Sequence, residues 1–359
     1  MRIKEIHIKS LHVPLTEPFI ISLGRLDYAD NVAVIIETEE GLRGYGECSP
    51  FRAIHGETSE TCISVGRILR EVLIGKEAND IEANIRLMDR CIYGNSSIKS
   101  AFDIAMHDIA AKKAGLPLFR YLGAERKKTL YTDYTVSIDS VEKMTADAVR
   151  IQSNGFPVIK VKLGGEAEED IRRMKSIRGA VGPEIPIRID ANQGWKKDSA
   201  IHILNEIASL NIQHCEEPVS RHLYMQLPEI RKRSPIKIMA DESCCIPVDA
   251  ERLIELGACD MFNIKLGKSG GIYNAMKILK LAEENNIEVQ LGGFLESRLG
   301  FTATAHLAMC SERVKYIDFD TPLMFSSDPV SGGMEYGSGG RIEIGGGVGL
   351  GAFFIPGLI

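Results

Sequence analysis

The sequence predicts an α/β protein: a modified TIM barrel of the (β/α)7β kind. An N-terminal α+β domain caps it, and the C-terminal tail completes that cap. Three observations predict this. Short β-branched runs recur at nearly fixed spacing from Thr129 onward, with amphipathic helical stretches between them. Several of these runs end in a charged side chain followed by polar or Gly-containing sequence, as strands do at the mouth of a barrel. The first 125 residues follow a different order, strands and then helices.

Residues 2–13 alternate as a strand, and residues 31–38 and 42–47 read as a hairpin around Glu40-Gly41. Between them, Pro18 to Asp30 reads as a loop able to reach over a neighbouring site. Helical patterns follow at about 57–74, 80–92 and 97–114. Ile98, Ala101, Phe102, Ala105 and Ile109 form the apolar stripe of the third, and Gly115 with Pro117 ends it. The cap domain is therefore placed at residues 1–125 and the barrel at 126–325.

Barrel strands are expected to end near Tyr134, Lys162, Asp190, Glu216, Asp241, Lys265, Gly292 and Asp318. From Lys162 to Lys265 the intervals are 28, 26, 25 and 24 residues. Helices are expected at Ile171 to Val181, Ala200 to Leu210 and Tyr273 to Asn285. Residues 326–359 break the rhythm. They are Gly-rich, with one short strand pattern at Arg341-Ile342-Glu343-Ile344, and read as a tail returning to the cap.

Bulk properties exclude several classes. At 359 residues with 44% hydrophobic and 26% charged side chains, the chain is ordinary for a globular protein. A net charge of −6 argues against nucleic acid as a partner. No apolar run reaches the roughly 20 residues of a membrane span, and the N-terminus lacks a signal peptide's apolar segment, so neither membrane nor export is expected. The eight cysteines form no CxxC pair and read as buried free thiols of a cytoplasmic protein.

Asp190, Glu216 and Asp241 end three successive strands, which are neighbours in a closed barrel. Three converging carboxylates repel one another, and a hard divalent cation relieves that repulsion; an all-oxygen set suits Mg²⁺, with Mn²⁺ as an alternative. Lys160 and Lys162 share one strand face. Their mutual repulsion is expected to lower their pKa values and ready one as a base. Lys265 stands across the barrel from Lys162, so a base can face each side of a bound carbon centre. The plainer alternatives are solvated lysines, surface acids at loop starts, and Lys265 paired to Glu242. Weaker signals carry nothing. The Gly-Lys-Ser of residues 267–269 lacks a P-loop's first glycine, since Phe262 stands there, and His306 reads as a packed core histidine.

Six segments bear a resemblance that covers essentially the whole chain. They are Thr132-Asp133-Tyr134-Thr135-Val136-Ser137, Lys160-Val161-Lys162, Asp190-Ala191-Asn192-Gln193-Gly194-Trp195, Glu216-Glu217-Pro218-Val219, Ala240-Asp241-Glu242-Ser243 and Asn263-Ile264-Lys265-Leu266. The sequence resembles the muconate-lactonizing subgroup of the enolase superfamily, and within it dipeptide epimerases related to L-Ala-D/L-Glu epimerase. The resemblance implies Lys162 and Lys265 as the acid/base pair, Asp190, Glu216 and Asp241 as Mg²⁺ ligands, and Lys160 beside the substrate carboxylate. It also implies that Asp318 and Asp320, the Asp-x-Asp after strand eight, bind a dipeptide's α-ammonium. A cycloisomerase, an o-succinylbenzoate synthase or an N-acylamino-acid racemase would leave that pair without a cation. A non-catalytic small-ligand binder would need neither lysine.

Tyr134, Gly24, Arg25, Ile54, Gly292 and Glu296 complete the expected substrate contacts, with Leu23 and His55 nearby in the cap. Glutamate-preferring relatives resemble this chain through Pro18-Phe19 but place an arginine where Gly24 stands, and here Arg25 comes one residue later. The expected substrate is a dipeptide with small or hydrophobic side chains, unless Arg25 swings inward and restores glutamate. A homo-oligomer is compatible with the sequence.

Overall fold

The computed structural model describes residues 1–357. Its N-terminal sheet is a three-stranded antiparallel meander of β1 (Ile3–Ile21), β2 (Gly24–Thr38) and β3 (Arg43–Cys48). The stretch expected as a loop, Pro18 to Asp30, is instead the far half of the β1–β2 hairpin. Phe19 pairs with Leu26, Ile20 with Arg25 and Ile21 with Gly24. A register irregularity between Pro14 and Phe19 separates this tip from the main ladder. No clean alternation announces the strand, since Ile20 stands between Phe19 and Ile21 and the turn follows at once, although one face of the tip lies on the barrel mouth.

A short helix, α1 (Arg52–His55), precedes three longer ones, α2 (Ser59–Leu73), α3 (Ile81–Cys91) and α4 (Ser96–Lys113); α2 and α4 pack on the sheet, and α3 packs on both of them. Thr58 caps α2 in a capping box with Thr61, and Asp80 accepts from the Ala83 N–H to cap α3. Helix α4 is buried along nearly all its length. Its contact with β3 depends on Gly44 and Gly46, where a Cβ would fall 2.1 Å from the Ala105 carbonyl oxygen and 1.9 Å from that of Ala101. Two buried acids anchor α4 to the rest of the molecule. Asp103 accepts from the Ile272 and Tyr273 N–H groups, and Asp108 accepts from the Tyr45 and Leu350 N–H groups.

After α5 (Leu118–Tyr121) and β4 (Leu130–Tyr131), eight parallel strands form the barrel in chain order. These are β5 (Tyr134–Val136), β6 (Ile159–Lys162), β7 (Ile187–Asp190), β8 (Ile212–Glu216), β9 (Ile238–Ala240), β10 (Met261–Lys265), β11 (Glu288–Gly292) and β12 (Val314–Ile317). Helices fill the seven gaps: α6 (Val141–Ser153), α7 (Ala167–Val181), α8 (Lys197–Glu206), α9 (Leu227–Arg233), α10 (Pro247–Glu255), the pair α11 (Leu266–Ser269) and α12 (Ile272–Glu284), and α13 (Arg298–Ala308). This is the expected (β/α)7β order. The Asp133 N–H to Ile317 carbonyl contact and the Phe319 N–H to Thr132 Oγ1 bond join the first and last strands.

The tail holds β13 (Val330–Gly332), β14 (Met334–Tyr336), β15 (Arg341–Ile344) and β16 (Ala352–Phe354). β15 pairs with β4, Gly349 exchanges backbone bonds with Leu116 and Leu118, and Tyr45 packs on Phe353 and Phe354. All eight cysteines are free. Among the described residues, no helix is long and apolar enough to cross a membrane.

Candidate active site

Strand register brings the charged residues into one layer. Lys162 pairs with Asp190 and Asp190 with Glu216, while Lys265 pairs with Gly292 farther round the ring. Alternation along each strand turns Lys160, Lys162, Asp190, Glu216 and Lys265 inward, and all are buried. Asp241 follows β9 directly and is buried with them.

Each carboxylate of the expected metal trio takes lysine counter-ions. Lys162 Nζ lies 2.7 Å from Asp190 Oδ2, Lys160 Nζ 2.8 Å from Glu216 Oε2 and 3.4 Å from Asp190 Oδ2, and Lys265 Nζ 2.7 Å from Asp241 Oδ2. Glu216 also accepts from Asn263 Nδ2 at 2.7 Å and Gln290 Nε2 at 3.2 Å. The partner of Lys265 is thus Asp241, with Glu216 at 4.0 Å, rather than Glu242.

The expected lowering of a lysine pKa is reversed at Lys160. Burial disfavours its ammonium, but Asp318, Glu216 and Asp190 outweigh burial and hold the pKa well above the ordinary lysine value. Lys265 is raised in the same way, with Asp241 and Glu216 overcoming burial. Reciprocally, Asp190 and Glu216 stay below the usual carboxylate range against their own burial. Repulsion between the lysines is present, but the acids nearby dominate it.

A second acidic cluster lies beside the first. Among the described residues, one carboxylate oxygen each of Asp133, Asp318 and Asp320 comes within 4.8 Å of the other two. Asp318 receives Lys160 Nζ at 2.6 Å, Asp320 the Thr135 N–H at 2.7 Å, and Asp133 the Arg188 guanidinium at 2.7 Å. Burial and Asp318 push the Asp320 carboxyl up to about 7. Asp318 is also penalised by burial, but Lys160 and Lys162 bring it down to about 2. Two acids with opposite shifts, facing one cavity, are suited to receiving a cation.

That cavity is lined by Lys162, Lys265, Asp318 and Asp320, with Thr135, Asn192 and Thr321. Its apolar wall is Phe19, Ile21 and Leu26 from the hairpin tip, Phe51 and Ile54 from the cap, and Phe294 and Leu295 after β11. Gly293 lines the cavity rather than Gly292, where a Cβ would lie 3.4 Å from Asp318 Oδ2. Glu296 is buried behind, accepting from the Phe294 N–H, and burial raises its pKa to about 7. His55 packs edge-on against Phe294, its ring centroid 4.5 Å away.

Three expected contacts stand elsewhere. Arg25 is exposed and grips Asp27, with Nη2 2.8 Å and Nε 3.0 Å from Oδ1. On the paired hairpin tip its side chain leaves the face that carries Leu26. Gly24 lies open at the turn with φ +138°. Tyr134 turns to the other face of β5, packed edge-on against Phe156, and Thr135 takes the cavity side instead.

Sequence reasoning missed Lys268. Its Nζ donates to Asp241 Oδ1 at 2.6 Å and to the Asn263 carbonyl at 2.7 Å, bracing β9 against β10. The signal was the Gly-Lys-Ser set aside as a failed P-loop. His306, in contrast, is the packed histidine expected, stacked on Phe119 and accepting from its N–H.

The enolase C-terminal domain-like model matches residues 143–354 of this chain. The mandelate racemase/muconate lactonizing enzyme N-terminal domain matches residues 3–123. The chain belongs to this enolase-like family. Within it, the D-Ala-D/L-Ala epimerase of Cytophaga hutchinsonii is 56% identical over 98% of this chain and 96% of its own. The L-Ala-D/L-Glu epimerase of Clostridium acetobutylicum is 40% identical over 94% of each. A crystal structure of the Cytophaga hutchinsonii dipeptide epimerase, complexed with Mg and D-Ala-L-Val, superposes with a TM-score of 0.99 over 99% of this chain and 97% of that one.

Proposed function

We propose that this chain is a Mg²⁺-dependent dipeptide epimerase that inverts the α-carbon of the C-terminal residue by 1,1-proton transfer. One observation carries the reading: two buried lysines from opposite sides of the barrel share a single cavity with the paired aspartates 318 and 320. Binding alone would not need two lysines so placed, and a substrate without an amine would leave Asp320 with the Thr135 N–H and no cation in contact.

Asp190, Glu216 and Asp241 have the donor chemistry of a hard divalent cation site, being three buried carboxylates at the ends of adjacent strands, each paired with a lysine. When bound there, Mg²⁺ supplies Lewis-acid stabilisation of the charge that develops on the substrate carboxylate. The chain's own residues do the rest. Asp318 and Asp320 hold the α-ammonium and so fix the dipeptide's register. Lys162 or Lys265 removes the α-proton, according to which epimer is bound. Lys160 faces the developing ene-diolate, and the opposite lysine returns a proton to the other face. A lysine base acting together with Mg²⁺ is the established pattern of enolase-superfamily sites, and these roles agree with it.

The apolar wall accommodates small or hydrophobic side chains. A glutamate side chain there meets no arginine and no cation beyond the two lysines at the reacting centre, since Arg25 is turned out to Asp27. The relative active on D-Ala-D/L-Ala supports the same preference. The reading is tested by incubating a dipeptide library with enzyme and Mg²⁺ in D₂O. Small and hydrophobic dipeptides should gain one mass unit and epimerise, and chelator should abolish both. Full activity after rigorous metal removal would overturn the metal assignment, and no mass gain with any dipeptide would overturn the function.

A further inference from the structure

Each of the two lysines in the cavity is faced by an aromatic ring. Lys162 Nζ lies 5.8 Å from the centroid of Phe19, and Lys265 Nζ lies 4.8 Å from that of Phe294. The rings come from unrelated parts of the chain, the hairpin tip and the segment after β11, yet both line the same cavity. Each lysine thus has one close carboxylate anchor, Asp190 or Asp241, and one ring, with Glu216 at 4.0 Å a more distant acid for Lys265.

Both rings are held in place. Phe294 is flanked edge-on by His55, and Phe51 stacks beside it with centroids 6.4 Å apart. Its segment is tied down by Asn31 Nδ2 to the Leu295 carbonyl at 2.6 Å. Phe19 rides on the hairpin tip, where Ser22 Oγ donates to the Asn192 carbonyl at 2.8 Å. A lysine stem is flexible, and one ion pair leaves its ammonium free to pivot. The negative face of a ring supplies a second, directional attraction within about 6 Å.

Resting on the epimerase reading, we propose that Phe19 and Phe294 are positioning residues, each holding one of the two bases against one face of the substrate's α-carbon. The pairing is face-specific. Phe19 serves the Lys162 face and Phe294 the Lys265 face, so loss of one ring impairs one proton transfer and spares the other.

The test is α-hydrogen exchange in D₂O with Mg²⁺, followed separately for Ala-Val with an L or a D C-terminal centre. The Lys265→Ala and Lys162→Ala variants identify which epimer each lysine deprotonates. Phe294→Leu should slow wash-in from the Lys265 epimer about tenfold relative to the other epimer, any change in KM from the altered wall being shared by both. Phe19→Leu should do the reverse, and the Tyr variants, which keep a ring, should restore the rates. Phe294→Met and Phe19→Met serve if a Leu variant does not fold. Parallel loss for both epimers, or no loss in either variant, would overturn the inference while leaving the epimerase reading intact. A wild type that exchanges neither epimer of any dipeptide would overturn that reading, and this inference with it.

Discussion

Asp318 stays ionised in a place where burial alone would protonate it, because Lys160 and Lys162 hold its charge. It sits in a buried network, with Asp320 two residues on at the same cavity. Replacing Asp318 by Asn removes one charge of the proposed amine receptor and leaves Lys160 with Glu216 and Asp190. A charge-assisted contact of this kind contributes about 1.5–3 kcal/mol. Asp318→Asn should therefore lower kcat/KM for a dipeptide by one to two orders of magnitude, mainly through KM. Steady-state kinetics check it, and an unchanged KM would remove Asp318 from the amine site. The charges that end the strands were legible in sequence because most fall where an apolar run stops, and Glu216, after Ile212-Gln213-His214-Cys215, because it keeps their spacing. The protonation behaviour of Lys160 and Lys265 was not legible, since it depends on which acids reach them across the barrel.

At the scale of elements, the barrel strands and their order could be read from spacing, whereas the hairpin tip could not. Its strand character comes from backbone pairing between residues 19–21 and 24–26, which no alternation announces. Its aim is equally invisible in sequence. Arg25 and Leu26 are neighbours, but pleating puts one in water and the other in the cavity wall. The close seat of β3 on α4 is a further case, for two glycines in a strand give no hint of the helix that requires them. Gly46→Ala would drive a methyl group against the Ala101 carbonyl and force the two elements apart. The expected cost is about 3 kcal/mol, the upper end of ordinary overpacking. Denaturant melts of the variant should show that loss, and wild-type stability would mean that the cap tolerates the displacement.

The whole molecule divides the work between its parts. The barrel carries the charges, and the cap with the segment after β11 supplies the apolar wall that closes over them. In the proposed reading, specificity follows from the cap's chemistry, which offers carbon to a substrate side chain. Ala-Val should exceed Ala-Glu in kcat/KM by at least about tenfold, the scale of one charge-assisted bond left unmade. Arg25→Ala should change neither value beyond about twofold, because the guanidinium is engaged with Asp27 in solvent. If Ala-Glu is the better substrate and loses that advantage in Arg25→Ala, the side chain reaches the cavity and the apolar assignment falls.

The proposed chemistry stands on Lys162 and Lys265 acting on opposite faces of one carbon. The most direct measurement is single-epimer exchange in D₂O with Lys162→Ala and Lys265→Ala. Each variant should lose epimerisation altogether, yet still wash deuterium into one epimer, the L form for one variant and the D form for the other. Epimerisation persisting at near wild-type rate in either variant, or wash-in confined to the same epimer in both, would contradict the two-base assignment.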